Sequence, residues 1–154
     1  MKEAGLRILR QKRKMRRVKQ VIVMRNDLNM RKGKMCAQAS HASMGFLLDK
    51  CHLQFPTNDN FYLRIGFSSE IEEEHLSYVK EWIDDAYIKV CVQCSSEIEL
   101  LEIYEKALQE GLLVSLVTDK GFTEFGGVET RTCLAIGPGP IEKIDSVTGN
   151  LKLL

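Results

Sequence analysis

The chain has 154 residues and a hydrophobic share of 44%, enough for one domain with a real core. A net charge of +1 excludes binding by total charge alone, and no apolar run has the length of a membrane span or a secretory leader. Charge is instead divided along the chain. Nine Lys or Arg stand against Glu3 in the first 20 residues, and Glu70 to Glu110 is acidic, an asymmetry that can orient a molecule on a polyanion.

Residues 1–17 form a basic extension without clean amphipathic spacing, read as a tail or as the product of an early start codon, with Met15 as the alternative beginning. Residues 18–154 then read as one domain with an insertion around 55–79. "VKQVIVM", Val18 to Met24, is β-branched and predicts a buried strand. "RNDLNMRKG" follows as a loop. From Lys34 to about Lys50 the spacing is helical. Met35, Ala39, Ala42 and Phe46 share an apolar face, and Lys34, Gln38, His41 and Gly45 repeat that spacing beside it.

"QFPTNDNFYLRIGFSSE" reads as a lid-like loop with room for a short extra strand in "FYLRIGF". Helices are predicted in "SEIEEEHLSYVKEWIDD", capped by Ser69, and in "SSEIELLEIYEKALQEG", which runs from a serine cap to Gly111. "AYIKVCVQ", "LLVSLVT" and "RTCLAIGP" predict strands, "DKGFTEFGGVET" a glycine-rich loop, and "PIEKIDSVTG" a short helix opened by Pro140. Helices alternating with buried strands predict an α/β fold, a three-layer α/β/α sandwich on a mostly four-stranded mixed β-sheet.

Five cysteines, an odd count with no leader, predict a reduced, cytoplasmic protein. The Cys91–Cys94 pair lies in a strand-like run that turns its thiols to opposite faces, so neither zinc nor a redox pair is expected, and no metal or cofactor is. Cys36 and His41 are about 140° apart around a helix and cannot pair as a thiol hydrolase.

Ligands of open α/β sheets collect beyond the carboxyl ends of strands. The first strand runs into "RNDLNMRKGK", and Asp119 follows a later strand end. If those two strands are parallel neighbours, Lys32, Lys34, His41 and Asp119 face one another across a cleft floored by Thr123, Thr130 and Thr132. "RKGKM" is not a nucleotide-binding phosphate loop. It lacks the early glycine, and Met35 stands where Ser or Thr belongs. What remains is a helix start with lysines, a generic site for phosphate or carboxylate.

"VIVMRNDLNMRKGKMCAQASHASM" closely resembles the opening of the type 2 peptidyl-tRNA hydrolases, whose run is approximately Arg-Asn-Asp-Leu-x-Met-x-Lys-Gly-Lys-x-Ala-Ala-Gln-x-x-His-Ala. Arg25, Asn26, Asp27, Leu28, Met30, Lys32, Gly33, Lys34, Ala37, Gln38, His41 and Ala42 match it, and Cys36 replaces an alanine. "LVSLVTDKGFTEF", "TRTCLAIGPGP" and "IDSVTGNLKLL" carry the resemblance through the second half. Lys120 stands where the family has alanine, the loop before Thr132 is one residue longer, and Gly126-Gly127 replaces a proline-bearing turn.

The resemblance implies hydrolysis of the ester joining a peptide to the 3′ ribose of tRNA, with peptidyl-tRNA as partner, no membrane, no cofactor, and a homodimer left open. It implies that Lys34, His41, Asp119, Thr130 and Thr132 serve catalysis, and that Asn26, Lys32, Gly33, Gln38 and Thr123 bind substrate. Asp119 or His41 would act on the attacking water, Lys34 or Lys32 would stabilise the oxyanion, and Thr130 and Thr132 would hold water or the terminal ribose. The alternative is a non-catalytic RNA- or protein-binding module that keeps the fold.

Overall fold

The computed structural model describes residues 18–54, 64–67 and 73–154. The basic leader 1–17, the lid-like stretch 55–63 and the predicted cap Ser69 lie outside the described residues. The central strand is β1 (Val18–Arg25), whose run of β-branched residues is buried on both sides. It pairs in parallel with β4 (Lys89–Cys94) and antiparallel with β6 (Thr130–Pro140). β5 (Val114–Asp119) pairs antiparallel with the other edge of β6, giving the order β4-β1-β6-β5. A separate hairpin joins β2 (Cys51–Gln54) to β3 (Arg64–Phe67).

Alternation along the strands builds two cores. Val21, Val23, Leu134 and Ile136 face α3 (Glu97–Gln109) and α4 (Ile141–Thr148), with Leu100, Ile103, Ile144 and Val147 packed on them. Ile22, Met24, Cys133 and Ala135 face α1 (Lys32–Lys50), which supplies Ala42, Met35 and Ala39. Phe46 of α1 packs edge-on against Trp82 of α2 (Glu73–Asp84), extending that layer. Helices thus cover both faces of a mixed four-stranded sheet, the expected sandwich.

Three expectations need correction. Helix α1 starts at Lys32, which brings Lys32 and Gly33 into its first turn. The lid-like stretch is not all loop, since the short extra strand that "FYLRIGF" allowed is β3, in a hairpin with β2. And β1 and β5 are parallel but are not neighbours, because β6 pairs with both. What spans the gap is α1, which packs against β5 and β6.

The depth of that packing is set by two contacts. Gln20, fully buried in β1, donates to the carbonyls of Ser43 and Gly137 and accepts from the Ser43 hydroxyl at 2.8 Å, tying mid-helix to the sheet. Gly45 lies so close to β5 that a Cβ there would sit 2.5 Å from Ser115 Cβ. Ser115, Val117 and Asp119 share one side of β5, and α1 runs antiparallel to them. From Ser115 to Asp119 is about 13 Å of strand. From Gly45 back to Gln38 or Lys34 is about 10–16 Å of helix. A helix seated at Gly45–Ser115 therefore delivers Lys34 and Gln38 to Asp119.

Two short segments close the edges. Ser96 caps α3 through its hydroxyl to the Glu99 N–H, and Glu99 returns a bond to the Ser95 N–H. The C-terminal residues pair with β4, the Gln93 N–H donating to Lys152 and the Leu154 N–H to Cys91.

Gly45→Ala is expected to destabilise the protein by about 1–3 kcal/mol in urea unfolding, the range for overpacking a close contact. It should also weaken whatever site α1 helps to build. Pairing it with Ser115→Gly should recover a measurable part of both losses.

Candidate active site

The C-terminal ends of β1 and β5, the start of β6 and the first turn of α1 meet at one edge of the sheet. Asp119, the last residue of β5, lies opposite Thr130 of β6. Its Oδ2 accepts from Lys34 Nζ in a part-buried ion pair and from Gln38 Nε2 at 3.0 Å. Its Oδ1 accepts from the Gly121 N–H at 2.8 Å. The Lys34 hydrogen bond above all, with help from the Gly121 N–H, Lys34's charge and Gln38, holds the Asp119 carboxyl below its ordinary range; burial opposes this and loses.

Gln38 is 2% exposed, and its amide orientation follows from chemistry. An ionised carboxylate only accepts, so the NH₂ must face Asp119. Oε1 then faces Thr132, whose hydroxyl donates to it at 2.5 Å. Thr132 reaches α1 through an irregularity in β6. Val117 pairs with Cys133 but Thr118 pairs with Arg131, so Thr132 is the extra residue of a bulge. Both it and the next residue therefore turn toward the helix. Cys133 Sγ donates to the Gln38 carbonyl at 3.4 Å.

Lys34 also donates to Thr123 Oγ1 at 3.2 Å and lies 5.5 Å from the Phe125 ring centroid. Beside it opens a cavity of about 390 Å³ lined by Arg31, Gly33, Lys34, Thr123 and Glu124. Arg31 crosses to Glu124 at 2.7 Å. A Cβ at Gly33 would meet nothing within 4 Å, so internal packing does not require a glycine there.

The first turn of α1 runs against helix electrostatics. It has no acidic residue and carries Lys32 and Lys34, with Arg31 just before it. Cations at a helix N-terminus are disfavoured by some tenths of a kcal/mol to about 1 kcal/mol each. Helices α2 and α3 obey the usual preference, with Glu73 and Glu74, and Glu97 and Glu99, in their first turns. Lys34 is neutralised by Asp119. Lys32 is exposed and makes no hydrogen bond or ion pair with a described residue.

Of the sequence-predicted residues, Lys34, Gln38, Asp119, Thr123 and Thr132 converge. Thr130 lies beside them, with its hydroxyl donated to the Val128 carbonyl at 3.0 Å. Gly33 lines the cavity, and Lys32 precedes it on the exposed first turn of α1. Asn26 is separate, donating to Gln93 Oε1 at 2.7 Å on β4. His41 is exposed and makes no hydrogen bond or ion pair with a described residue. It lies about 60° around the helix from Gln38, outside the buried arc. Lys120, beside Asp119 in sequence, is exposed and does not pair with it.

Sequence reasoning missed Gly121, Glu124 and Phe125. It also missed the Arg25 cluster, in which Arg25 holds Asp27 at 2.7 Å, Glu97 at 2.9 Å and the Arg131 carbonyl at 2.9 Å. The Arg25–Asp27 match lay inside the recognised motif, but nothing in the sequence pointed to Glu97. The four cysteines with described side chains are free thiols. Burial pushes Cys94 up to about 11 and Cys133 up to about 12, which leaves both thiols protonated. Among the described residues, no three His, Cys, Asp or Glu side chains gather to hold a metal.

Residues 18–154 match the family model described as peptidyl-tRNA hydrolase PTH2. The chain is 40% identical to a peptidyl-tRNA hydrolase of Methanocaldococcus jannaschii, over 89% of this chain and all of that protein. It is similarly 40% identical to one of Methanopyrus kandleri, over 88% and 97%. A peptidyl-tRNA hydrolase of Sulfolobus acidocaldarius is 35% identical over 89% of this chain and all of its own length.

Thr132→Val keeps the shape of residue 132 and removes its donor, leaving Gln38 Oε1 buried and unpaired. Unfolding in urea should show a loss of about 1–3 kcal/mol. Thr132→Ser keeps the donor and should lose clearly less.

Proposed function

Because this chain belongs to the peptidyl-tRNA hydrolase PTH2 family, we propose that it cleaves the ester between a peptide and the 3′ ribose of tRNA, releasing both. The observation that carries this reading is the Lys34–Asp119–Gln38 cluster, whose Lys34 lines a cavity at the cationic start of α1. Peptidyl-tRNA arises in the cytoplasm, where this hydrolase would act. No helix among the described residues is long and apolar enough to cross a membrane.

Each residue has a role that chemistry assigns. Lys34 has three N–H donors; Asp119 and Thr123 use two. The third is free for the oxygen that becomes negative when water adds to the ester carbonyl, a role worth roughly 3–4 kcal/mol for a well-placed donor. Asp119 is held ionised and is therefore a poor proton acceptor. It orients the water, and its free lone pair on Oδ1 is the available acceptor. The hydroxyl loses its proton only after bonding to carbon has made it acidic, and that proton goes to the departing 3′ oxygen. The C–O bond breaks, leaving a free 3′ hydroxyl and a peptide carboxylic acid, which gives its remaining proton to solvent.

Gln38 and Thr132 act through Asp119 as positioning residues, since both are buried. Thr130, beside the pair, would hold the terminal ribose. Lys32, with Gly33, meets substrate phosphate, and Asn26 serves the same strand farther along the sheet edge. His41, exposed on α1, is the competing base.

The pH profile separates the two bases. With Asp119 as the working carboxylate, kcat/KM stays flat as pH falls and declines only below the ordinary aspartate range, because its proton affinity is lowered. With His41 as base, His41→Ala removes most of kcat and changes that profile. The first outcome is expected.

Discharge of N-acetyl-aminoacyl-tRNA tests the activity itself. Wild type should release free tRNA, Asp119→Asn should lose most of kcat, and a binder without catalysis would show no release by either. Lys34→Ala should lower kcat roughly 10²–10³-fold, as for loss of an oxyanion donor. Lys32→Ala should mainly raise KM and reduce the salt slope by about one.

A further inference from the structure

We propose that Phe122 is a stacking platform for an unpaired nucleobase at the 3′ end of the RNA substrate, a reading that rests on the chain's action on peptidyl-tRNA. Phe122 is 83% exposed, more than any other exposed large hydrophobic among the described residues. A ring on a free surface loop would need no explanation. This one is not on a free loop.

Its neighbours on both sides are fastened to the site. The Gly121 N–H donates to Asp119, and the Thr123 hydroxyl accepts from Lys34. The Gly121 carbonyl accepts from the Phe125 and Gly127 N–H groups, at 3.1 and 3.0 Å, which closes the loop on itself. Gly121 has φ +80° and its α-carbon lies against the Val128 backbone, where a Cβ would come within 2.3 Å of the Val128 carbonyl oxygen. The loop's bonded backbone therefore holds the roots of two aromatic rings in place. Phe125 packs inward on the α1 core beside Lys34, and Phe122 stands out in water.

The surroundings choose the partner. The adjoining cavity is lined by Arg31, Gly33, Lys34, Thr123 and Glu124, with no aliphatic or aromatic wall. An apolar peptide side chain laid on Phe122 would keep most of its surface in water or against charges. A nucleobase needs one apolar face and has polar edges, so it fits a lone ring beside cationic and hydroxyl groups. Single-stranded RNA is held by this pairing of aromatic platforms with a basic track, and stacking of one base is lost on alanine substitution. The ester to be cut is attached to the terminal nucleotide, so bases of that strand arrive next to Asp119 and its loop.

The test uses the full chain and two short RNAs, one ending in CCA and one with three abasic nucleotides in those positions. At fixed salt, wild type should bind the intact RNA about ten-fold or more tighter than F122A. F122Y and F122W should bind like wild type, and F122L like F122A, which separates a flat ring from apolar bulk. On the abasic RNA, wild type and F122A should bind alike. With peptidyl-tRNA, F122A should raise KM more than it lowers kcat.

Equal binding of the intact RNA by wild type, F122L and F122A overturns the proposal. So does a loss that persists in full on the abasic RNA, or a KM defect that grows with the peptide while RNA binding is unchanged, which would assign the ring to the peptide. If F122A fails to fold, the comparison of F122L with F122Y decides. If wild type binds the intact RNA through Phe122 but does not discharge peptidyl-tRNA, the activity fails and the platform stands.

Discussion

The part-buried ion pair between Lys34 and Asp119 is the interaction on which the site depends. An ionised carboxylate with 15% of its side chain exposed is stable only if most of its lone pairs are engaged. Here three donors from three places supply this: the Lys34 ammonium, the Gln38 amide and the Gly121 N–H. Each also fixes something else. Lys34 fixes the start of α1, Gln38 fixes the bulge in β6 through Thr132, and Gly121 fixes the loop after β5. The carboxylate is thus a structural hub and the proposed water-orienting group at once.

That double duty explains the electrostatics of α1. A first turn with two lysines and no acid opposes the helix dipole, and only two of the three cations at the helix start have a partner in the fold. Lys34 is answered from within, by Asp119. Arg31 is answered by Glu124 across the cavity mouth. Lys32 is answered by no described residue. A phosphate bound at that mouth would relieve the helix start and gain from its free N–H groups together. The local instability and the affinity for an anion have the same origin.

Much of this was legible in the sequence, for identifiable reasons. The central strands β1 and β6 are buried on both faces and read as apolar runs, and α3 advertised its ends with Ser96 and Gly111. The spacing of Lys34, Gln38 and Gly45 gave a shared face, and that face does meet β5. His41 shares the spacing but falls just outside the buried arc, a distinction of some tens of degrees that a sequence pattern does not resolve. Strand order was not legible either. Both orders place the β1 and β5 carboxyl ends together, and only the length of β6, paired along both edges, sets them apart. The Thr132 bulge and the Glu97 link to Arg25 depend on tertiary register, for which neither segment carries a local mark.

The departures from the family pattern near Asp119 have a common physical reading. Lys120 sits beside the carboxylate in sequence, yet the strand alternation that turns Asp119 toward α1 turns the next residue outward, so its charge stays in water. Gly126 and Gly127 both take positive φ, at 60° and 83°, which lets the longer loop fold back so that the Gly127 N–H reaches the Gly121 carbonyl. The turn is made at the loop's far side, and its near side holds the Gly121 N–H on Asp119. Backbone freedom thus sits at the far turn, and the N–H that bonds to the carboxylate sits where the loop is fastened.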